Sequence, residues 1–106
     1  MDVPEIDVEQ LAALVADGAV VFDVRNPDEY VEGHVPGATL VPLPEVPDRV
    51  AEFPTDQPVY VICAMGGRSR KASGFLIPLG VDATNVAGGT TAWIESGRAV
   101  NEGEQP

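Results

Sequence analysis

Apolar residues recur along the chain with two different spacings, and the two alternate. The clearest helical pattern has its apolar positions at Val8, Leu11, Ala12 and Val15. This i, i+3, i+4, i+7 spacing places the four side chains on one face of a helix. Asp7 precedes the pattern as a suitable N-cap, with Gln10 three residues on as its capping-box partner. We therefore predict an amphipathic helix over residues 8–16, ended by Gly18.

Short, continuous apolar runs separate the helical patterns and are typical of buried parallel strands. We predict strands over residues 20–24, 39–41, 59–62 and 84–86. Further helices are predicted from Pro27, from about residue 46, from Ser69, and after an N-cap at Thr90 or Thr91. The apolar face of the helix from Ser69 is predicted at Ala72, Phe75, Leu76 and Leu79. This alternation of strand and helix indicates βαβ units around a parallel sheet, an α/β fold.

A chain of 106 residues suits a single domain. Cys63 is its only cysteine, so the fold cannot depend on an internal disulfide. The acidic N-terminal stretch has no apolar segment of the signal-peptide kind. No apolar run approaches the roughly 20 residues needed to cross a bilayer. We therefore expect a cytoplasmic protein, a monomer by default.

The formal net charge of −11 argues against nucleic acid and anionic membranes as partners, because both require a basic surface. Three of the six cationic side chains nevertheless stand close together, directly after the cysteine. They are Arg68, Arg70 and Lys71. The cluster is explained either by a site for a small anion or by the solvated start of a helix, and the charge pattern leaves both open.

Cys63 follows the predicted strand 59–62, and ligands of open α/β sheets bind beyond the carboxyl ends of the strands. Gly66 and Gly67 permit a tight curl in which successive backbone N–H groups point inward and bind an anion. The start of the following helix adds unpaired N–H groups. Together with Arg68, these groups would lower the pKa of the thiol and hold a reactive thiolate. The alternative is a small buried hydrophobic residue at a strand end.

Four segments carry motifs that occur together in a known family. Residues 23–30 (DVRNPDEY) look like its D-x-R…E-[YF] stretch, and residues 33–38 (GHVPGA) are similar to its G-H-I-P-G-A motif. Residues 63–69 (CAMGGRS) resemble its active-site loop, and residues 88–93 (GGTTAW) its closing G-G-x-x-x-W. With these four motifs in the family's order, the chain resembles the rhodanese domain, and specifically the single-domain sulfurtransferases.

The resemblance implies a single domain over residues 1–98, with helices on both faces of a central parallel sheet. Residues 99–106 remain as a short polar tail that we expect to be loosely attached. Cys63 is implied as the catalytic residue that carries a persulfide. The substrate-binding and anion-binding loop is expected to consist of Ala64, Met65, Gly66, Gly67, Arg68 and Ser69.

The implied reaction moves a sulfur atom from thiosulfate or a persulfide donor to an acceptor. The expected partners are a small anionic sulfur donor and an external thiol, cyanide or sulfur-relay protein as acceptor. Neither a cofactor nor a metal is expected. With no second cysteine in the sequence, the acceptor thiol must come from another molecule.

Two alternative functions share this fold. A cysteine-dependent phosphatase or arsenate reductase would need five residues between cysteine and arginine, whereas four separate Cys63 from Arg68. A non-catalytic binding or regulatory module is the second alternative, although such modules typically lose the cysteine.

Other polar residues are expected to support the site. Asp23 and Arg25 lie two apart at a strand end and face the same side, so an ion pair is favoured over a chemical role. His34, the only histidine, is expected to anchor its Gly/Pro turn by a hydrogen bond. Trp93 is expected in the core. Arg70 and Lys71 lie in the first turn of the predicted helix, where a cation is unfavourable because the helix dipole is positive at that end. This placement favours a role for both in attracting anionic donors.

Overall fold

A computed structural model describes residues 2–106 and contains one five-stranded sheet in the order β1-β5-β4-β2-β3. All of its paired strands are parallel. The strands are β1 (Glu5–Ile6), β2 (Val20–Asp23), β3 (Thr39–Leu40), β4 (Pro58–Ile62) and β5 (Asp82–Val86). The predicted parallel sheet is confirmed. The two-residue β1 was not predicted, because so short a strand has no apolar periodicity; it completes the edge beside β5.

The α-helices are α1 (Val8–Ala16), α2 (Pro27–Glu32), α3 (Gly67–Leu76) and α4 (Gly89–Glu95). The first three connect strands, and α4 follows the last strand, β5. The predicted bounds of α1 and its capping box between Asp7 and Gln10 are confirmed. The segment predicted to be helical from about residue 46 is a 3₁₀-helix over Leu43–Glu52. Pro42, Pro44 and Pro47 lie just before it or in its first half and disfavour an α-helix there. Helix α3 starts two residues before Ser69.

The N-cap of α4 is Gly88, so the expectation of Thr90 or Thr91 at that position is wrong. Gly88 has φ 81° and Gly89 has φ 59°, a left-handed backbone that glycine adopts without steric cost. The helix therefore begins at Gly89, before the position that an N-cap at Thr90 or Thr91 would give, and both threonines lie inside its first turn.

Hydrophobic clusters cover both faces of the sheet. Consecutive strand residues point to opposite faces, and Val61 and Ile62 accordingly belong to different clusters. On one face, Val61 packs with α3 and the 3₁₀ segment; on the other, Ile62 packs with α1 and α4, including Trp93, which is buried as expected. The helices thus lie on both faces, as the resemblance implies. No helix within residues 2–106 has the length and apolarity to cross a bilayer.

The predicted apolar face of α3 is only half right. Ala72 and Leu76 are buried, but Phe75 is 43% exposed and Leu79 is 51% exposed. The α-helix ends at Leu76 and continues as one 3₁₀ turn over Ile77–Leu79, which changes the spacing of side chains before Leu79 is reached.

The C-terminal residues are attached to the domain, so the expectation of a loose tail is wrong. Asn101 exchanges two backbone hydrogen bonds of 2.9 Å with His34, and the amide of Gly103 donates to the carbonyl of Val31 at 2.9 Å. The indole of Trp93 donates to the carbonyl of Ala99 at 2.9 Å. Backbone pairing of this kind does not require an apolar sequence pattern, which is why the polar composition misled.

Candidate active site

Cys63 lies at the carboxyl end of the central strand β4, between neighbours β5 and β2. Ile62, the last residue of β4, pairs with Asp23, the last residue of β2. Cys63 is therefore the first residue beyond the carboxyl end of β4. Its side chain belongs to the hydrophobic cluster on the α3 face and is 1% exposed. The thiol is therefore shielded by the loop that follows it, while its sulfur faces the start of α3.

Two hydrogen-bond donors reach the sulfur of Cys63. The backbone N–H of Gly66 lies 3.1 Å from Sγ, and the hydroxyl oxygen of Ser69 lies 3.2 Å from it. Gly66 has φ 114°, a value that a residue with a Cβ rarely adopts, and this turn aims its N–H back at the sulfur. The loop thus curls round the sulfur as the glycines predicted.

These donors change the ionisation of the thiol. Burial by itself raises the pKa of Cys63, because it disfavours the charged form. The hydroxyl of Ser69 and the backbone amides of Ser69, Gly66 and Met65 outweigh that effect, so the pKa of Cys63 lies below its ordinary value. A greater share of the thiol is consequently ionised near neutral pH, and the thiolate is the nucleophilic form.

Helix α4 fixes the loop from the other side. The backbone N–H and the hydroxyl of Thr90 donate to the carbonyl of Cys63 at 2.9 and 3.0 Å, and the N–H of Thr91 donates to the carbonyl of Ala64 at 3.0 Å. A Cβ on Gly89 would lie 2.5 Å from the Ala64 carbonyl oxygen. The first turn of α4 therefore holds these two carbonyls away from the sulfur, which leaves the following amides free to face it.

The cationic cluster is largely paired with acidic side chains. Arg68 makes a two-pronged ion pair with Glu29 of α2 at 2.7 and 3.0 Å. The hydrogen bonds from Arg68 are the largest influence on the Glu29 carboxyl and lower its pKa to about 2. Arg70 pairs with Glu5 at 3.2 Å. Within residues 2–106 Lys71 makes no ion pair, so it is the member of the cluster whose charge remains uncompensated.

Ser69 also contacts a residue that the sequence did not single out. Its hydroxyl lies 2.5 Å from Oδ1 of Asn85, a buried residue of β5. The amide nitrogen of Asn85 donates to the Gly66 carbonyl at 3.2 Å and to Glu5 at 2.8 Å. An amide side chain near the carboxyl end of a predicted strand, at the same end of the parallel sheet as Cys63, was the signal that could have identified Asn85.

The remaining loop residues form its outer side. Ala64 is half-buried, Met65 is 74% exposed, and Gly67 is exposed as the first residue of α3. A groove of about 340 Å³ lies between α3 and the 3₁₀ segment. Its lining is mostly apolar and consists of Leu43, Pro44, Val46, Pro47, Lys71, Ala72 and Phe75.

Asp23 and Arg25 form a buried ion pair, with Arg25 Nη2 2.8 Å from Asp23 Oδ2. The same nitrogen donates to the carbonyl of Gly33 at 2.8 Å. The pair therefore connects the end of β2 to the turn at 33–38 and makes no hydrogen bond to the Cys63 sulfur.

His34 lies in the same turn and is fully buried. Nδ1 lies 2.8 Å from the Tyr30 carbonyl oxygen and Nε2 lies 2.8 Å from the Gln105 carbonyl oxygen. Its ring stacks on that of Tyr30 with centroids 3.7 Å apart. The structure places both ring nitrogens on backbone groups and not at Cys63, in keeping with an anchoring role.

Comparisons with known proteins give the same family throughout. The rhodanese-like domain family matches residues 7–96. A sulfurtransferase of Allochromatium vinosum is 36% identical over 98 residues, which is 90% of this chain and 92% of that protein. The thiosulfate sulfurtransferase GlpE of Pseudomonas entomophila is 37% identical over 89 residues, 83% of this chain and 82% of that protein.

Solved structures agree with these sequence matches. A rhodanese-related protein from Thermoplasma volcanium superposes with a TM-score of 0.87 at 33% identity, over 92% of this chain and 96% of that one. The shared part therefore includes nearly the whole sheet and both layers of helices.

Proposed function

The chain belongs to the rhodanese-like family of sulfurtransferases, and on this premise we propose that it moves a sulfane sulfur through a persulfide on Cys63. The observation that carries the proposal is the convergence of the Gly66 amide and the Ser69 hydroxyl on one sulfur atom at the carboxyl end of the central strand. Donors arranged in advance around this sulfur stabilise the thiolate, which attacks in the first step and leaves in the second.

The proposed first step uses thiosulfate or an organic persulfide as donor. The thiolate of Cys63 uses an electron pair to form a bond to the outer sulfur of thiosulfate. The bond between that sulfur and the sulfonate sulfur breaks, and its electron pair leaves with sulfite. The negative charge of the thiolate then resides on the outer sulfur of the Cys63 persulfide. Backbone N–H groups of the loop 64–68 would donate hydrogen bonds to that charged sulfur, since the α4 contacts hold the neighbouring carbonyls away.

In the second step, an acceptor thiolate or cyanide attacks the outer sulfur and releases the Cys63 thiolate. An external thiol is proposed as the biological acceptor, because the 106 residues hold no second cysteine. The apolar groove between α3 and the 3₁₀ segment supports an organic acceptor, and Lys71 in its lining would favour one with a carboxylate. Chemistry at a single free thiol suits a reducing compartment such as the cytoplasm.

The geometry weakens the case for phosphatase or arsenate reductase activity. Those reactions need an arginine that is free to bind a tetrahedral oxyanion. Arg68 comes one residue too early after Cys63, and both of its terminal nitrogens are bound by Glu29. The retained cysteine and its donors likewise favour catalysis over a purely binding role.

Steady-state transfer from thiosulfate to cyanide, and from thiosulfate to small thiols with and without a carboxylate, tests the proposal. We expect turnover with wild-type protein and a loss of more than about a thousandfold in Cys63→Ser, since the nucleophile is removed. Equal activity in the two proteins would contradict the proposal. Cys63-dependent release of phosphate from a chromogenic ester would favour the phosphatase alternative.

A further inference from the structure

The hydroxyl of Ser69 lies between two acceptors but has only one proton to donate. Its oxygen is 3.2 Å from the Cys63 sulfur and 2.5 Å from Oδ1 of Asn85. Ser69 and Asn85 are both buried, so no solvent shell compensates an acceptor that loses its donor. At any moment the proton serves either the sulfur or the amide oxygen.

The Asn85 amide is held in one orientation. Its nitrogen donates to the Gly66 carbonyl at 3.2 Å and to the Glu5 carboxylate at 2.8 Å. Both partners can only accept hydrogen bonds, so a rotated amide would set its oxygen against two other oxygens. Asn85 therefore cannot turn its nitrogen toward Ser69, and it stays an acceptor for the hydroxyl.

We propose that Asn85 is a positioning residue that competes with the Cys63 sulfur for the Ser69 proton. It thereby opposes ionisation of the Cys63 thiol. It also favours negative charge on the outer sulfur of the persulfide over charge on the Cys63 sulfur. The catalytic consequence rests on the proposed sulfur transfer, but the effect on ionisation does not. Asn85 itself makes no hydrogen bond to the sulfur, so it acts through Ser69.

The competition has a different result in each state of the cysteine. In the thiol, the hydroxyl donates to Asn85 and its oxygen can accept from the S–H group. In the thiolate, the hydroxyl turns to the sulfur, and the buried Oδ1 of Asn85 loses its donor. In the persulfide the charge has moved to the outer sulfur, and the hydroxyl returns to Asn85. The pair therefore disfavours the free thiolate relative to the persulfide, which favours forward transfer of sulfur.

The charged groups on the elements around the loop stay the same in the test. They are Glu5 on β1, Asp23 and Arg25 at the end of β2, Glu29 on α2, and Arg68, Arg70 and Lys71 on α3. Substitutions at Asn85 and Ser69 change no formal charge. A change in thiol ionisation then reports the hydrogen bonds and not the surrounding field.

The experiment is a double-mutant cycle with iodoacetamide as the probe, in the absence of any sulfur donor. Alkylation rates of Cys63 are measured against pH for wild type, Asn85→Ala, Ser69→Ala and the double variant. Ser73→Ala is the matched control, because Ser73 is buried on the same helix and donates to the Ser69 carbonyl at 2.8 Å without touching the sulfur.

With Ser69 present, Asn85→Ala should move the midpoint of the rate profile to lower pH. At pH values below this midpoint, the alkylation rate of Cys63 should rise between about twofold and tenfold, which is the net effect of one hydrogen bond. In the Ser69→Ala background this gain should vanish. Ser73→Ala should leave the midpoint unchanged. An equal effect of Asn85→Ala in both backgrounds, or none in either, would overturn the proposal.

Asn85→Val serves if Asn85→Ala does not fold, because valine has no hydrogen-bond acceptor for the Ser69 hydroxyl and is well suited to the strand β5. The same criteria apply to it. A separate incubation with thiosulfate reports persulfide formation by mass. Failure of that reaction with a normal alkylation cycle would count against sulfur transfer and leave the role of Asn85 standing.

Discussion

The loop at 63–69 and the turn at 33–38 both place a chemically capable side chain in a buried, glycine-containing segment, yet they use it differently. In the turn, each ring nitrogen of His34 faces a backbone carbonyl 2.8 Å away. In the loop, an amide and a hydroxyl converge on the sulfur of Cys63. The histidine completes the hydrogen bonding of the fold, whereas the sulfur receives donors that favour its charged form.

The arginines near the two segments extend the comparison. Arg25 is buried with Asp23 and supports the turn, while Arg68 is partly exposed with Glu29 beside the loop. Both guanidinium groups are compensated by a carboxylate. The difference between the segments therefore comes from backbone amides and hydroxyl groups rather than from nearby positive charge.

Two glycine-to-alanine substitutions, one beside the loop and one in the turn, should differ most in stability and transfer activity. Gly89→Ala would put a Cβ 2.5 Å from the Ala64 carbonyl oxygen at φ 59°. Gly37→Ala, in the turn, has a similarly unfavourable φ of 87° but an open space around the new atom. We expect Gly89→Ala to lose about 3 kcal/mol or more in free energy of unfolding and most of its transfer activity, because the α4 contacts to the loop are broken.

The matched variant Gly37→Ala should lose only about 1 kcal/mol, from backbone strain, and keep its transfer rate. Urea denaturation and thiosulfate:cyanide transfer measure the two properties. Similar behaviour of both variants would mean that the packing of α4 against the loop has no special role.

His34→Ala tests the turn itself. The substitution removes a stacked, fully buried ring together with its contacts to the carbonyl oxygens of Tyr30 and Gln105. We expect the free energy of unfolding to fall by about 2–4 kcal/mol, with an unchanged kcat for the folded protein. A large drop in kcat at temperatures where the variant is fully folded would instead assign His34 to the chemistry.

Glu29→Gln should have the smallest effect, and it depends on pH. The pKa of Glu29 is lowered from 4.5 to about 2, so its contribution to stability is complete above 4.5 and is lost as the pH falls toward 2. The stability difference from wild type should be at most about 1 kcal/mol near neutral pH, since the pair is about a third exposed, and should close on acidification.

Glu52→Gln is the control for that variant, because it removes a carboxylate that pairs with Arg49 away from the loop. It should leave transfer from thiosulfate unchanged. A stability gap for Glu29→Gln that widens as the pH falls would contradict the assigned pKa shift.

Local patterns predicted the fold well, and contacts distant in sequence were the part they could not predict. Residues 7–10 carry both the capping box and the first apolar position of α1, so its bounds followed from sequence. The pairing of Arg68 with Glu29 joins residues 39 apart, and that of Ser69 with Asn85 joins residues 16 apart. Neither pair has a local spacing rule, so the sequence predicts Arg68 only as a cation of the anion-binding loop and does not single out Asn85.

The role of the Cys63 loop in catalysis stays a prediction from its motif and geometry. The Gly66 turn toward the sulfur could be anticipated, because glycine is the residue that a positive φ requires. The carbonyl contacts of Thr90 and Thr91 could not, because they arise only once the sheet brings the end of β5 beside the end of β4.

The most direct test of sulfur transfer is the intact mass of the protein after incubation with thiosulfate and removal of the excess. The account predicts a gain of one sulfur atom, located on Cys63 by peptide mapping, lost on addition of cyanide and absent in Cys63→Ser. An unchanged mass under conditions in which iodoacetamide still alkylates Cys63 would contradict it.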